Sequence, residues 1–298
     1  MKILKYPCVI PVDTAVALGR FDGVHHGHSA VISAAVKCKD QGLVPVVFTF
    51  SDNPGKEPHG LLTTESEKYT LLEQLGVQIV VTVAFDEVRN MSPEDFVSCL
   101  LLGQLRAKEI FCGYNYRFGA GAAADADTLA QLCAEEGVNV TCIPEVMVGD
   151  RQVSSTAIRK LISEGKVLAG EELLGHRYSL SGKVVHGNAI GRKINTPTLN
   201  IDVDKQKLLP RYGVYAAKVF TDGVEYNSVC NIGEKPTVGS ELPTVEAYLL
   251  DVKGDFYDAE VTLELLEFIR PEQKFSDIES LRSVISKDIS EARRIFDK

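Results

Sequence analysis

The segment Gly19-Arg20-Phe21-Asp22-Gly23-Val24-His25-His26-Gly27-His28 sets three histidines and three glycines within ten residues, between an apolar run and a helical pattern. Glycines let a backbone turn tightly and approach a ligand, and a helix start offers unpaired N–H groups and the positive end of a dipole. His25 and His28, three apart at that turn, can reach one phosphate together, because an imidazole donates hydrogen bonds to an oxyanion and carries charge when charge helps. A lone histidine there reads as a surface residue beside a helix cap; this density of histidine and glycine favours phosphate. Gly113-Tyr114-Asn115-Tyr116-Arg117-Phe118-Gly119 follows a later apolar run. Val153-Ser154-Ser155-Thr156-Ala157-Ile158-Arg159 opens a later helix and reads either as a plain cap or as a second phosphate cradle of hydroxyls, bare N–H groups and an Arg one turn on.

The second half offers a different set: His186-Gly187-Asn188-Ala189-Ile190-Gly191-Arg192, then Thr196-Pro197-Thr198-Leu199-Asn200, then Thr244-Val245-Glu246-Ala247-Tyr248. Thr198 and Asn200 are two apart in an extended run, so their side chains face the same way. A hydroxyl and an amide on one face help to hold Mg2+ against nucleotide phosphates. Glu246, if it faces that site, accepts an alcohol proton. The plain alternatives are a strand start at Pro197-Thr198 and a solvated exterior position for Glu246.

Elements must position these residues. Apolar runs at 15–18, 44–50, 78–84, 109–112 and 139–143 read as buried strands, and 29–40, 64–75, 92–102 and 127–136 have helical spacing. Ser92 reads as an N-cap with Pro93 first and Asp95 third in its helix, and Gly76 and Gly137 stand where helices stop. Such alternation predicts a parallel sheet covered on both faces, whose carboxyl edge is where ligands bind. After about residue 177 the pattern changes. Residues 214–220 and 224–229 flank Thr221-Asp222-Gly223, a compact hairpin signal, and 245–250 and 260–268 read as further strands of an antiparallel barrel or sandwich. A last helix over 276–296 is announced by a capping box of Ser276 and Glu279. The expected domains are 1–177 and 178–298, joined through a short helical stretch at 168–177.

Bulk properties narrow the class. The 298 residues suit two domains, and 45% hydrophobic against 24% charged residues is ordinary for globular cores. A formal charge of -9 argues against a surface that neutralises a nucleic-acid backbone. The longest apolar runs, such as 43–50, are strand-sized, and no signal-like start stands out, so the expectation is a cytoplasmic protein that neither spans nor binds a membrane. Seven scattered cysteines (8, 38, 99, 112, 133, 142 and 230) without a CxxC pair read as reduced thiols, mostly core filler.

The HxGH pattern at 25–28 is the signature of nucleotidyltransferases, and the ordered series of motifs resembles the bacterial bifunctional riboflavin kinase/FMN adenylyltransferases over nearly the whole chain. Residues 19–28, 113–119 and 153–159 look like the adenylyltransferase set. YSLSGKVVHG at 178–187, PTLN at 197–200, GVYA at 213–216, NIGEKPTVG at 231–239, VEAYLLD at 245–251 and FIRPEQKF at 268–275 look like the flavokinase set. The resemblance implies a Rossmann-like nucleotidyltransferase sheet followed by a flavokinase β-barrel with a C-terminal helix. It implies that ATP phosphorylates riboflavin to FMN and then adenylylates FMN to FAD, with Mg2+ on the ATP.

The resemblance also implies roles. His25, His28 and Arg159 would be catalytic in adenylyl transfer, with Gly19, Phe21, Asp22, Gly23, Gly27, Asn115, Ser155 and Thr156 around ATP and the FMN phosphate. Gly191, Arg192 and Thr198 would bind the kinase's ATP, Thr198 and Asn200 would hold its Mg2+, and Glu246 would take the ribityl proton. Arg20 stands where the family commonly has a small or amide residue, Ser51-Asp52-Asn53-Pro54 replaces Pro-His-Pro, Asn195-Thr196 replaces Gly-Phe, and Leu199 replaces Ala. Two alternatives remain at this stage: a chain active only as the kinase, and a flavin- or nucleotide-binding protein without turnover.

Overall fold

The computed structural model describes residues 1–51, 60–187, 196–234, 243–252, 254–275 and 277–298. They form two compact units, Met1–Ser155 and Thr156–Lys298.

In the first unit six parallel strands, β1 (Lys2–Lys5), β2 (Thr14–Leu18), β3 (Val44–Phe50), β4 (Ile79–Val83), β5 (Ala107–Gly113) and β6 (Asn139–Ile143), pair in the order β1-β4-β3-β2-β5-β6. Strand β2 shows why the sheet is buried on both sides. Val16 and Leu18 enter one apolar cluster, with Phe96, Leu100, Leu129 and Cys133, while Ala15 and Ala17 enter another, with Val31, Ile32, Ala35 and Leu72. Helices α1 (His26–Lys37) and α2 (Glu65–Gln74) supply the second cluster. A π-helical stretch, Phe96–Gln104, and α3 (Ala126–Glu135) supply the first.

The expected strands all form. Strand β1 is an addition: four residues with no alternation to announce them, paired onto β4. The helix expected at 92–102 begins as read, with the Ser92 hydroxyl accepting from Asp95 N–H and Pro93 in the first turn, but its body is π-helical. The strand order switches sides between β2 and β5, so the carboxyl ends of these two parallel strands flank the crevice where doubly wound sheets take ligands.

In the second unit α4 (Ser155–Ser163), whose first residue closes the first unit, and α5 (Val167–Leu174) precede a closed antiparallel barrel. Its strands are β7 (Ser179–Val185), β8 (Leu199–Val203), β9 (Gly213–Thr221), β10 (Val224–Glu234), β11 (Pro243–Leu249) and β12 (Glu260–Arg270), in the order β7-β8-β11-β10-β9-β12. The β9–β10 hairpin turns through Asp222 and Gly223, both at positive φ (50° and 76°), as a two-residue turn of this kind requires. Inside the barrel lie Leu180, Val184, Ile201, Cys230, Ile232, Val245, Ala247, Leu249 and Leu263.

Helix α6 (Ile278–Phe296) packs on β9, β10 and β12, fixed by a bidentate pair from Arg270 Nε and Nη2 to the Asp288 carboxylate, both 2.8 Å. Its N-cap is Asp277, whose side chain accepts from Ser280 N–H; Ser276, the cap expected from the sequence, lies outside the described residues.

Candidate active sites

The loop after β2 is fixed by its own turn geometry and by bonds to the residues just before α2. Phe21, Gly23 and Val24 all sit at positive φ (53°, 86° and 38°). The buried Asp22 carboxylate accepts from the N–H groups of Leu62 and Thr63 at 3.0 and 3.1 Å, and the Thr63 hydroxyl accepts from Gly23 N–H at 3.0 Å. Thr49 at the end of β3 donates to Arg20 O at 2.9 Å. These bonds fix the backbone that carries Gly19 to His28 against the sheet edge.

His25 caps α1: its Nδ1 accepts from His28 N–H at 3.2 Å, and the two imidazoles stack with centroids 3.6 Å apart and planes 15° from parallel. Phe21 closes on His28 edge-on at 5.4 Å, and Gly27 leaves room for the His25 ring, which a Cβ there would meet at 3.2 Å. The pair therefore forms one aromatic wall at a helix start, backed by Phe21. Ser155 Oγ donates to Asp22 O at 3.2 Å, which brings the third motif to the same loop. Asn115 is exposed just past the end of β5, in the loop tied to β6 by Tyr114 N–H donating to Ile143 O at 2.9 Å.

Lys68 was not foreseen. It lies on α2 with its ammonium 3.3 Å from Phe50 O, at the sheet's carboxyl edge. Burial lowers its pKa, and Arg20 lowers it further, while Glu65 and Asp22 pull the other way. In the sequence it is an ordinary helical lysine four residues after a cap, with no signal that it turns inward.

In the barrel unit, β8 and β11 pair so that Asn200 is directly opposite Glu246, and β11 and β10 pair so that Asn231 faces Glu246 from the other side. Neighbours in register share a sheet face. Alternate residues Val245, Ala247 and Leu249 point into the barrel, so Glu246 stands on the outer face, half-buried. Thr198, two before Asn200, donates its hydroxyl to Glu246 Oε2 at 3.2 Å. Gly187 ends the strand-to-loop passage beside them: a Cβ there would lie 2.2 Å from the Asn200 amide nitrogen, so any larger residue would push the Asn200 side chain from its place. Next to it the His186 ring packs on Tyr257 at 3.8 Å.

Family models describe both halves: FAD synthetase matches residues 9–157 and riboflavin kinase matches residues 174–296. The bifunctional riboflavin kinase/FMN adenylyltransferase of Bacillus subtilis is 35% identical over 95% of this chain and 92% of its own length, and that of Escherichia coli K12 is 35% identical over 94% and 92%. This chain belongs to the bifunctional riboflavin kinase/FMN adenylyltransferase family. A crystal structure from Streptococcus pneumoniae, described as a macrolide-efflux protein, superposes with a TM-score of 0.89 over 98% of this chain and 99% of that one, at 28% identity. Among the described residues no helix here is long and apolar enough to cross a membrane.

With the family in place, the motif residues sort by location. The structure gathers His25, His28, Phe21, Asp22 and Ser155 at one loop, and Thr198, Asn200 and Glu246 on one barrel face. Thr156 is exposed and Arg159 buried on α4, four residues and so one turn beyond Ser155. Gly191, Arg192, Asn53 and Asn195 lie outside the described residues. Asn231 is an addition to the barrel site; it opens NIGEKPTVG, but its place beside Glu246 depends on strand register that the motif does not state.

Proposed function

We propose that this chain of the bifunctional family transfers the γ-phosphoryl group of ATP to riboflavin on its barrel unit and an adenylyl group from ATP to the resulting FMN on its parallel-sheet unit, giving FAD and pyrophosphate. The observation that carries this reading is that each unit holds its own constellation: stacked His25 and His28 at a helix start in one, and Glu246 bonded to Thr198 and opposite Asn200 in the other.

In the kinase step the ribityl 5′-hydroxyl is a poor nucleophile until its proton has somewhere to go. Glu246 takes that proton, and Thr198 orients the carboxylate by donating to one of its oxygens. The hydroxyl of Thr198 and the amide oxygen of Asn200 are hard oxygen donors on one face, a set that fits Mg2+ accompanying ATP. Bound there, the metal would neutralise phosphate charge; the chain's residues position the nucleotide and the alcohol.

In the adenylyl step the nucleophile is a phosphate oxygen, already anionic, so no strong base is needed. The work is alignment and charge stabilisation. His25 and His28 donate to the α-phosphate and leaving pyrophosphate at the start of α1, where N–H groups and the helix dipole add to them. Ser155 and Asn115 extend the cradle, with Gly19, Phe21, Asp22, Gly23 and Gly27 shaping it. Riboflavin, FMN and ATP are the partners on this reading, and the cytoplasm is the compartment that holds them together.

Incubation of the purified chain with riboflavin, ATP and Mg2+, followed by chromatography of the flavins, tests the reading. FMN should appear first and FAD after it. Riboflavin left unconverted by folded protein would overturn the kinase assignment, and FMN that never proceeds to FAD would overturn the adenylyl one.

A further inference from the structure

Strands β5 and β6 place two thiols side by side. In their parallel register Ile110 faces Val140, Phe111 faces Thr141 and Cys112 faces Cys142. Register partners on neighbouring strands lie about 4.8 Å apart with side chains on one face, within the roughly 4.4–6.8 Å Cα separation that a disulfide bridges. Burial raises the Cys112 thiol most, and the neighbouring Cys142 and Cys133 thiols raise it further. Access differs sharply: Cys112 and Cys133 are fully buried, whereas Cys142 is exposed on the edge strand of the sheet. Gly113, Tyr114 and Asn115 follow Cys112 directly, and Tyr114 N–H donates to Ile143 O, so the thiol pair sits at the foot of the loop assigned to the nucleotide.

We infer that Cys112 and Cys142 form an oxidisable dithiol, in which a peroxide closes a disulfide across the two strand ends and slows adenylyl transfer. Cys142 reacts first because it is the thiol that solvent reaches. Its thiolate attacks hydrogen peroxide, an S–O bond forms as the O–O bond breaks, and the departing hydroxide leaves as water with the thiol's proton. Cys112 then attacks the sulfenic sulfur; the S–S bond forms, the S–O bond breaks, and the second hydroxide takes the Cys112 proton. One peroxide is reduced to two waters and two thiols are oxidised to one disulfide. Burial holds the Cys112 thiol up at about 12, so Cys112 is the resolving thiol and not the one that meets peroxide first.

A disulfide holds its Cβ atoms about 3.8 Å apart, about 1 Å closer than the strand spacing. The strand ends must therefore shift, and the loop with them. A misplacement of that size near a reacting group costs on the order of 100-fold. The consequence for activity rests on the adenylyl reading above; the bond itself does not.

The test treats the full chain with hydrogen peroxide, alkylates the remaining thiols, and follows both peptide masses and flavin products. The expected result is a Cys112–Cys142 linked peptide, FAD formation from FMN reduced at least about tenfold and restored by dithiothreitol, and FMN formation from riboflavin unchanged. Cys142→Ser should give no linked peptide and peroxide-resistant FAD formation, while Cys99→Ser, at the other exposed thiol, should behave as the parent. Oxidation of Cys142 to a sulfinic acid with no linked peptide overturns the dithiol. Linkage with full FAD formation overturns its effect on catalysis, as does equal peroxide sensitivity in Cys142→Ser. Lack of FAD formation before oxidation would instead count against the adenylyl reading, and the peptide masses would still decide the dithiol.

Discussion

The Thr198 hydroxyl donates to Glu246 Oε2 at 3.2 Å across the β8–β11 pair, and on the proposed reading the other carboxylate oxygen takes the proton of the incoming alcohol. Glu246→Gln keeps the size and the Thr198 contact but cannot take a proton. Kinase turnover should fall by about 100- to 10,000-fold with little change in the Michaelis constant for ATP. Thr198→Val removes a bond to a charged group worth about 1.5–3 kcal/mol, so steady-state kinetics should register roughly a 10- to 100-fold loss in kcat/KM.

Asp22 works through the backbone. Asp22→Ala leaves the Leu62 and Thr63 N–H groups without their buried acceptor, at a cost of about 1–3 kcal/mol. The His25–His28 loop loses its anchor to the residues before α2. Thermal unfolding should show the lower stability, and FAD formation should fall while riboflavin phosphorylation in the surviving folded fraction does not.

Both findings bear on what the sequence could show. The HxGH loop was legible because its chemistry is local: glycines, histidines and a helix start occur within ten residues. The parallel sheet was legible because β2 and β3 are buried on both faces, so their apolar runs are nearly continuous, and β5 carries the run Ile110-Phe111-Cys112. Strand β1 was not, since Lys2-Ile3-Leu4-Lys5 is an exposed edge with no run to read. Asn231 and Lys68 were missed for a shared reason: their roles come from long-range pairing, β10 beside β11 in one case and α2 folding back on Phe50 in the other. The cap of α6 slipped by one residue because Ser276 and Asp277 are both good caps, and Asp277 has Ser280 to accept from.

Asp288 is almost fully buried and its bidentate partner Arg270 only one-fifth exposed, so the pair is inside the protein more than on it. Asp288→Ala leaves the guanidinium uncompensated, and breaking such a pair costs about 3–5 kcal/mol. Urea unfolding followed by a probe in the barrel unit should shift accordingly. An unchanged midpoint would mean that α6 is held by its apolar face alone.

The domain joint makes a further prediction. Buried Glu171 on α5 accepts from Tyr178 N–H at 2.8 Å and pairs with Arg177 at 2.7 Å, so the start of the barrel is tied to the helix before it. A fragment of residues 156–298 should fold and phosphorylate riboflavin. One of residues 178–298, which starts at the joint expected from the sequence, should be less stable in urea because Glu171 is gone. Equal stability of the two fragments would place the joint at residue 177.

The most direct measurement is a flavin time course in which parent, His28→Ala and Glu246→Gln proteins each receive riboflavin or FMN with ATP and Mg2+. His28→Ala should turn riboflavin into FMN at the parental rate and stall there, with FAD formation down by about 100- to 1,000-fold. Glu246→Gln should make FAD normally from FMN but hardly any FMN from riboflavin. Loss of both steps together in either folded variant, or parental FMN formation by Glu246→Gln, would contradict two separate sites with these residues at their centres.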